Sequence, residues 1–350
     1  MLVAHNGPYI LRPLLKLYAL RNLGHDVIVF SISDYMKGFS GKLYTSLPFP
    51  GTTLFRINQD LLHTIKEHKA DLFLSWRPTY LFPSTIQAIN SLGVLTVSYN
   101  NDDPFKRKVF FNARWHQYFE WFWYLRTLRF YQRNFFFRKI NLSEAKEYGA
   151  AHADVLMPYF IPEKDRPVTL TEAEKKRYSC DVVFVGHHEF DGREKHLQAL
   201  VQSGLSVKLF GSKRQWTPQV LKDMYSYFSP IEFAEGDEYP KALSGAKVCL
   251  AFLSKRNRDP YTTRCFEIPA CGRVMLAERT DDLLELFEED KEACFFSDTN
   301  ELVTKAKWLV ENPDIADSIA QAGLRRVWAD GHDVDSRVAY FIKRCQVGME

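Results

Sequence analysis

Leu2-Val3-Ala4-His5-Asn6-Gly7-Pro8, then a segment from Ile10 to Leu23, then Gly24 and Val27-Ile28-Val29-Phe30, is the stretch on which the fold turns. The first three residues make a short apolar strand, and His5-Asn6-Gly7-Pro8 is a turn. From Ile10 to Leu23 apolar residues recur at helical spacing; Gly24 stops that helix, and Val27 to Phe30 is a buried strand. The alternation continues with Leu72-Phe73-Leu74 as strand, Ser84 to Ser91 as helix and Val94 to Val97 as strand. Strands alternating with helices at this pace imply a parallel sheet covered on both faces.

Phe105 to Lys139 breaks the rhythm, which resumes through Glu144 to Gly149 and Asp154 to Met157. Tyr159 to Tyr178, with Pro162 and Pro167 among charged residues, reads as a connection between domains. Beyond it, Val182 to Val185, Val207 to Phe210, Val248 to Phe252, Val274 to Ala277 and Phe295-Phe296 are expected strands. Helices are expected near 193–203, 238–246, 281–288, 299–311 and 314–327, with a last one from Ser336 to Gln346. The expected fold class is therefore α/β, with two Rossmann-like domains whose parallel sheets face a central cleft. Their expected bounds are 1–165, with an insertion at 105–139, and 175–331, followed by a terminal helix within 332–350. Ligands of open parallel sheets gather outside the carboxyl ends of the strands.

Size and composition agree. A chain of 350 residues favours two domains at ~150 residues each. Apolar residues at 46% and charged residues at 25% belong to a packed protein, not to a disordered, collagen-like or disulfide-scaffold chain. Forty-six basic against 43 acidic residues leave a formal charge of +3, too balanced for general nucleic-acid binding. Cys180, Cys249, Cys265, Cys271, Cys294 and Cys345 form no CxxC pair, which fits a reducing compartment and argues against a zinc site. His5 to Pro8 interrupt the N-terminus before a signal-peptide core develops, and no apolar run of ~18 residues spans a bilayer. A soluble cytoplasmic protein is expected, at most peripheral to the inner face of a membrane.

Four segments carry polar chemistry. Gly7 lies between a strand and a helix, where a helix N-terminus suits a diphosphate, though a tight turn explains it equally well. In Gly186-His187-His188-Glu189-Phe190-Asp191-Gly192-Arg193, Gly186 lets backbone approach a ligand, and Arg193 is placed to neutralise phosphate. Asp191 and Glu194 have capping-box spacing there. Adjacent His187 and His188 cannot both point the same way on an extended segment, which argues against a two-His metal site. In Gly211-Ser212-Lys213-Arg214-Gln215-Trp216, a base can stack on Trp216 while Lys213 or Arg214 meets phosphate, or the segment is a solvated basic turn. The fourth segment runs from Arg258 to Gly272. Thr262 or Thr263 can cap a helix that holds Arg264 and Glu267 on one side, and Pro269 shortens or kinks it. A carboxylate there accepts two hydroxyl hydrogens from a ribose diol while the arginine balances a diphosphate. A surface salt bridge on an amphipathic helix is the competing reading.

Arg264-x-Phe266-Glu267-Ile268-x-Ala270-Cys271-Gly272, with Leu276, Asp281 to Phe287 and Phe295, resembles the C-terminal half of glycosyltransferases related to the spore-maturation CgeB group, a branch of the retaining glycosyltransferases with GT-B architecture. His332-x-x-x-x-Arg337 is similar to that group's closing motif, while Asn101-Asp102-Asp103-Pro104-Phe105 and the Gly186 loop match more loosely. The resemblance implies transfer of a sugar from a nucleotide sugar, most readily a UDP-sugar, to a glycan or lipid-linked acceptor, without metal or other cofactor. It implies a donor site in 175–331, with Gly7, Gly186, His187, Arg193, Gly211, Lys213, Tyr261, Thr263, Arg264 and Glu267 as its residues. Glu267 maps to the carboxylate that contacts the ribose. The other member of that group's Glu pair falls at Asp259, a shorter carboxylate, which with Arg264 is the catalytic candidate. The first domain would carry the acceptor, with His5 and Asp102 beside it, and the terminal helix would cross back to that domain. Structural capping by Asp103 ahead of Pro104 is the plainer use of the Asp pair.

Phe105 to Lys139 mixes Trp115, Trp121, Trp123 and many Phe and Tyr with basic residues against a single acid, Glu120. Such a stretch suits a bilayer interface, and equally a domain core, an oligomer contact or a wall for sugar rings. Two other function classes stay in view. One is a nucleotide-sugar epimerase using His187 or His188 for acid–base chemistry. The other is a non-catalytic binding protein that kept the fold, favoured by Asp259 standing where the group has Glu.

Overall fold

The computed structural model describes residues 1–5, 20–37, 49–105 and 119–346. The chain divides into two units, one formed by Met1–Met157 with Asp335–Glu350 and the other by Pro158–Val334.

In the first unit the opening strand is central, as its uninterrupted burial requires. β1 (Leu2–His5) pairs in parallel with β2 (Ile28–Ser31) on one side and β3 (Leu72–Trp76) on the other. β4 (Leu95–Asn100), β5 (Arg133–Phe136) and β6 (Ala153–Val155) complete a parallel sheet of order β2-β1-β3-β4-β5-β6. Helix α1 (Thr52–Glu67) buries Leu54, Ile57, Leu61 and Ile65, the stripe that a 3.6-residue period places on one face. Its buried Asn58 donates to the carbonyls of Leu54 and Tyr80 and accepts from the Phe82 amide. That side chain thus ties the loop before α2 (Pro83–Ser91) to the helix.

The aromatic stretch is not foreign to this domain: it supplies α3 (Phe122–Thr127) and leads directly into α4 (Ile140–Glu147). β5 lies inside it, and Phe105, Trp121, Tyr124, Tyr131 and Phe136 join Leu2, Phe30, Phe73 and Ile86 in one buried cluster. Among the readings considered, the described part therefore serves as core; residues 106–118 lie outside the described residues. Its charges are engaged too: Arg126 lies 3.5 Å from the Phe122 ring centroid, Glu120 pairs with Arg77 in the loop after β3, and Arg138 is buried.

The second unit begins earlier than the sequence spacing indicated. Phe160, Ile161 and Tyr178 are buried, and the Phe160 amide donates to the His332 carbonyl, so 159–178 is part of the unit and not an open connection. Helix α5 (Glu172–Tyr178) starts in a reciprocal capping box between Thr171 and Glu174. β7 (Cys180–Val185), β8 (Val207–Phe210), β9 (Ala246–Ala251), β10 (Val274–Glu278) and β11 (Cys294–Phe296) form a parallel sheet of order β11-β10-β9-β7-β8. Helices α6 (Arg193–Gln202), α7 (Glu238–Ser244), α8 (Arg264–Ala270), α9 (Asp281–Leu286), α10 (Thr299–Glu311) and α11 (Pro313–Ala329) accompany it, with two single-turn helices at Pro218–Leu221 and Tyr225–Phe228. Val182, Phe184, Val248, Leu250 and Leu276 are essentially inaccessible, as expected for strands buried on both faces. Among the described residues no helix is long and apolar enough to cross a membrane.

The terminal helix Val334–Gln346 contributes from residue 335 onward to the first unit. Phe341 packs on Phe135 with ring centroids 5.0 Å apart, and Arg344 pairs with Asp154. Phe341→Ala should therefore cost about 3–5 kcal/mol, the usual range for removing a buried Phe. Chemical denaturation of the intact chain measures it; a midpoint unchanged from wild type would show the helix contributes nothing to that core.

Candidate functional site

The second sheet ends in two glycine loops that touch. The Gly186 amide, just past β7, donates to the Phe210 carbonyl at 2.9 Å, and the Gly211 amide, just past β8, donates to the Glu232 carbonyl at 2.8 Å. Trp216 Nε1 crosses between the loops to donate to the Gly186 carbonyl at 2.8 Å. A Cβ on Gly211 would lie 2.2 Å from that carbonyl oxygen and 2.8 Å from Trp216 Nε1; one on Gly186 would lie 2.6 Å from the Phe184 ring. Both positions admit only glycine because of proximity, not because of φ. Trp216 is fully buried with its ring nearly perpendicular to that of Phe184, so the expected stacking of a base on its face is corrected: it braces the loops.

The loop from Gly186 to Arg193 is held from within. Arg193, only 4% exposed, makes a paired hydrogen bond to the Asp191 carboxylate and donates through Nη1 to the His187 carbonyl at 2.8 Å. Its charge is spent on Asp191, so the phosphate-neutralising role expected of Arg193 gives way to a bracing one. The capping-box expectation is also corrected: α6 has Gly192 at its N-cap with φ of 93° and no side-chain cap, and Asp191 accepts instead from the Arg193 amide. Glu189 accepts from Ser254 Oγ at 2.8 Å and meets His187 Nε2 at 3.1 Å. Burial opposes ionisation of Glu189, but those hydrogen bonds and the Arg193 charge hold its carboxyl below the ordinary range. His187 is exposed, whereas the His188 side chain is buried between Phe190 and Trp216.

Helix α8 brings its two charged residues to this place. Arg264 Nε donates to the Val185 carbonyl at the carboxyl end of β7, and its guanidinium stands 5.9 Å from the Phe184 ring centroid. A Cβ on Gly186 would meet Arg264 Nη2 at 3.1 Å, so the glycine leaves the room that the guanidinium fills. One turn later Glu267, 3% exposed, accepts from the Tyr239 hydroxyl at 2.9 Å. This is a half-buried cation and a buried anion on one short helix, not a salt bridge on a solvated face. Thr263 occupies the N-cap position without a side-chain cap. Tyr261 is fully buried with its ring 6.0 Å from Phe266, so the donor contact expected of its side chain is corrected to a core one. Asp259, half-buried, donates its amide to the Ser254 carbonyl after Arg258 at φ of 52°. Lys213 is exposed. The structure thus brings Gly186, Gly211, Arg264 and Glu267 together, with Tyr239 as a residue no sequence signal marked.

In the first unit His5 ends β1 and is buried, which lowers its imidazole pKa against the opposing pull of Asp34. Asp102 pairs with Arg77 at 2.8 Å, and Arg77 also reaches Glu120 at 2.6 Å. Asp103 accepts from the Phe105 amide and from Asn141 Nδ2, the capping role weighed for it. Gly7 lies outside the described residues. Among the described residues no group of three His, Cys, Asp or Glu side chains is arranged to hold a metal ion.

The family described as glycosyl transferase-like matches residues 193–343. Among curated proteins no sequence matches. A glycosyltransferase from Rickettsia africae is similar at a TM-score of 0.68 and 12% identity, covering 99% of this chain and 97% of that one. Sucrose-phosphate synthase from Thermosynechococcus elongatus reaches 0.69 at 13% identity, covering 98% of each chain. The Anabaena protein Alr3699/HepE, in complex with UDP and glucose, reaches 0.66 at 12% identity over 99% of each chain. The chain has the GT-B glycosyltransferase fold, with two Rossmann-like domains.

The two-glycine contact predicts a contrast. Gly211→Ala forces a Cβ into a backbone oxygen and should cost about 3 kcal/mol. Gly204→Ala, at φ of 92° with nothing within 4 Å, should cost only about 1 kcal/mol of backbone strain. Denaturation midpoints of the two variants measure this; equal losses would contradict the close approach.

Proposed function

We propose that this chain is a nucleotide-sugar-dependent glycosyltransferase. The observation that carries the reading is the pairing of Arg264 and Glu267 on α8, the first held against Gly186 at the carboxyl end of β7 and the second buried beneath Tyr239. A nucleoside diphosphate presents a diol and a pyrophosphate, the two groups that a carboxylate and a guanidinium one turn apart recognise. Glu267 takes the ribose hydroxyls, and Arg264, with exposed Lys213, faces the diphosphate. Asp259 is assigned to the transferred sugar, and His5 and Asp102 of the first unit to the acceptor.

The reaction breaks the bond from the sugar carbon to the diphosphate, which leaves with the electron pair. The acceptor hydroxyl oxygen takes its place on carbon and releases its proton. Negative charge grows on the departing diphosphate, and a cation fixed there beforehand lowers the barrier without reorganising. Because Arg264 is anchored by a backbone carbonyl, it is such a cation, and the reaction is read as needing no metal or cofactor. A hexose carried by UDP is the favoured donor: HepE, similar in fold, is described with UDP-glucose. Retention of configuration, a glycan or lipid-linked acceptor, a place at the inner face of the membrane and kinship with the CgeB group follow the sequence resemblance.

Incubation with UDP-, GDP- and ADP-sugars, with and without oligosaccharide acceptors, should release nucleoside diphosphate. An altered sugar on an intact nucleotide would instead indicate an epimerase, and binding without turnover a non-catalytic protein. In the same assay Glu267→Ala should weaken donor affinity roughly 10- to 100-fold, the value of hydrogen bonds to a charged group. Unchanged affinity would remove the ribose assignment.

A further inference from the structure

Glu267 is carried by a short helix that is buried along its length but has no side-chain cap of its own. Helix α8 has seven residues, its N-cap Thr263 contributes no side-chain bond, and Pro269 within it lacks one helical N–H. The terminal torsion of a glutamate is broad in any case, so the backbone alone does not set the rotation of its carboxyl.

Tyr239, whose hydroxyl donates to Glu267 Oε2 at 2.9 Å, stands on a helix tied to its surroundings by ion pairs and packing. On α7, Glu238 pairs with Arg177 at 2.9 Å and accepts from the Tyr178 hydroxyl, while Lys241 pairs with Glu174 at 3.0 Å. Pro240, Ala242 and Leu243 are buried beneath it. The end of the helix sits hard on α5: a Cβ on Gly245 would meet Tyr178 Cβ at 2.5 Å. The phenol is thus delivered to the carboxylate by a helix clamped at several points. Burial and the neighbouring Glu267 charge push its pKa up, which keeps it a proton donor throughout the neutral range.

We propose that Tyr239 is a positioning residue whose hydroxyl fixes the rotation of the Glu267 carboxyl, setting it to meet the two hydroxyls of a nucleotide ribose. The proposal rests on the reading of Glu267 as the ribose ligand. Fixing that rotation in the free protein removes an ordering cost from binding. Tyr239 acts through Glu267, so its loss should alter nucleotide affinity and the discrimination between ribose and deoxyribose.

Calorimetric titration of the intact chain with UDP, 2′-deoxy-UDP and 3′-deoxy-UDP tests this, using wild type, Tyr239→Phe, Glu267→Gln and the double variant. Thermal unfolding establishes that each is folded. Wild type should prefer UDP to each deoxy nucleotide by about tenfold or more. Tyr239→Phe should weaken UDP about 3- to 10-fold, leave the deoxy nucleotides nearly unchanged and reduce the preference to about threefold or less; the double variant should be no weaker than Glu267→Gln. A Tyr239→Phe variant that keeps the full preference, or loses UDP and deoxy-UDP equally, overturns the positioning role while the ribose reading stands. A wild type that binds UDP with no preference over the deoxy forms removes the ribose reading, and this proposal with it.

Discussion

The contact between the Gly186 and Gly211 loops is the constraint on which the candidate site depends. Parallel strands β7 and β8 end side by side, and loops leaving their carboxyl ends would ordinarily diverge around each other's side chains. Two glycines and the Trp216 indole let them close instead, with the Gly186 carbonyl occupied by Trp216 Nε1 and the Gly186 amide by Phe210. Closure leaves a space over the Phe184 ring at the end of β7, and the Arg264 guanidinium lies there, bonded to Val185. A side chain at Gly211 would have to displace backbone, and one at Gly186 would press on the Phe184 ring and the Arg264 guanidinium, so the position of the cation follows from the packing of the two loops.

A second layer of polar contacts fixes charged groups on that packing. Arg193 uses its charge on Asp191 and the His187 carbonyl, and Glu189 reaches across to Ser254, so the Gly186 loop is stiff along its length. Arg264 and Glu267 then stand on one short helix, one turn apart, each with a partner from a different element. Preorganised charge of this kind contributes to catalysis because it need not be reoriented as bonds break. The same economy distinguishes one buried arginine of this unit, whose charge is met within its own loop, from another half-buried one whose charge is left for the site we propose. Arg193 has a carboxylate two residues away, whereas Arg264 is held by a carbonyl that leaves its charge uncompensated by that bond.

Much of the fold was legible because strands buried on both faces are apolar without interruption: Val182 to Val185, Val207 to Phe210 and Val274 to Ala277 appear where their composition indicates. β5 was not legible. Arg133-Asn134-Phe135-Phe136 places two polar residues in a buried strand, and what allows it is long-range: Ser98 Oγ donates to Asn134 Oδ1, and Asn134 Nδ2 reaches the His152 carbonyl. The site divides the same way. Gly186, Arg264 and Glu267 stood out through spacing and residue type, while the burial of Trp216 and Tyr261 depends on neighbours that no local pattern names, and the capture of Arg193 by Asp191, two residues away, on how the loop folds back. Tyr239 gave no signal at all, because an aromatic residue near the start of an ordinary helix carries none until its partner is known.

The most direct measurement is a crystal structure of this chain with UDP bound. The account predicts ribose hydroxyls within about 3 Å of the Glu267 carboxylate and pyrophosphate oxygens at hydrogen-bond distance from the Arg264 guanidinium, beside Gly186. A nucleotide bound elsewhere on the molecule, with neither side chain in contact with it, would contradict the account.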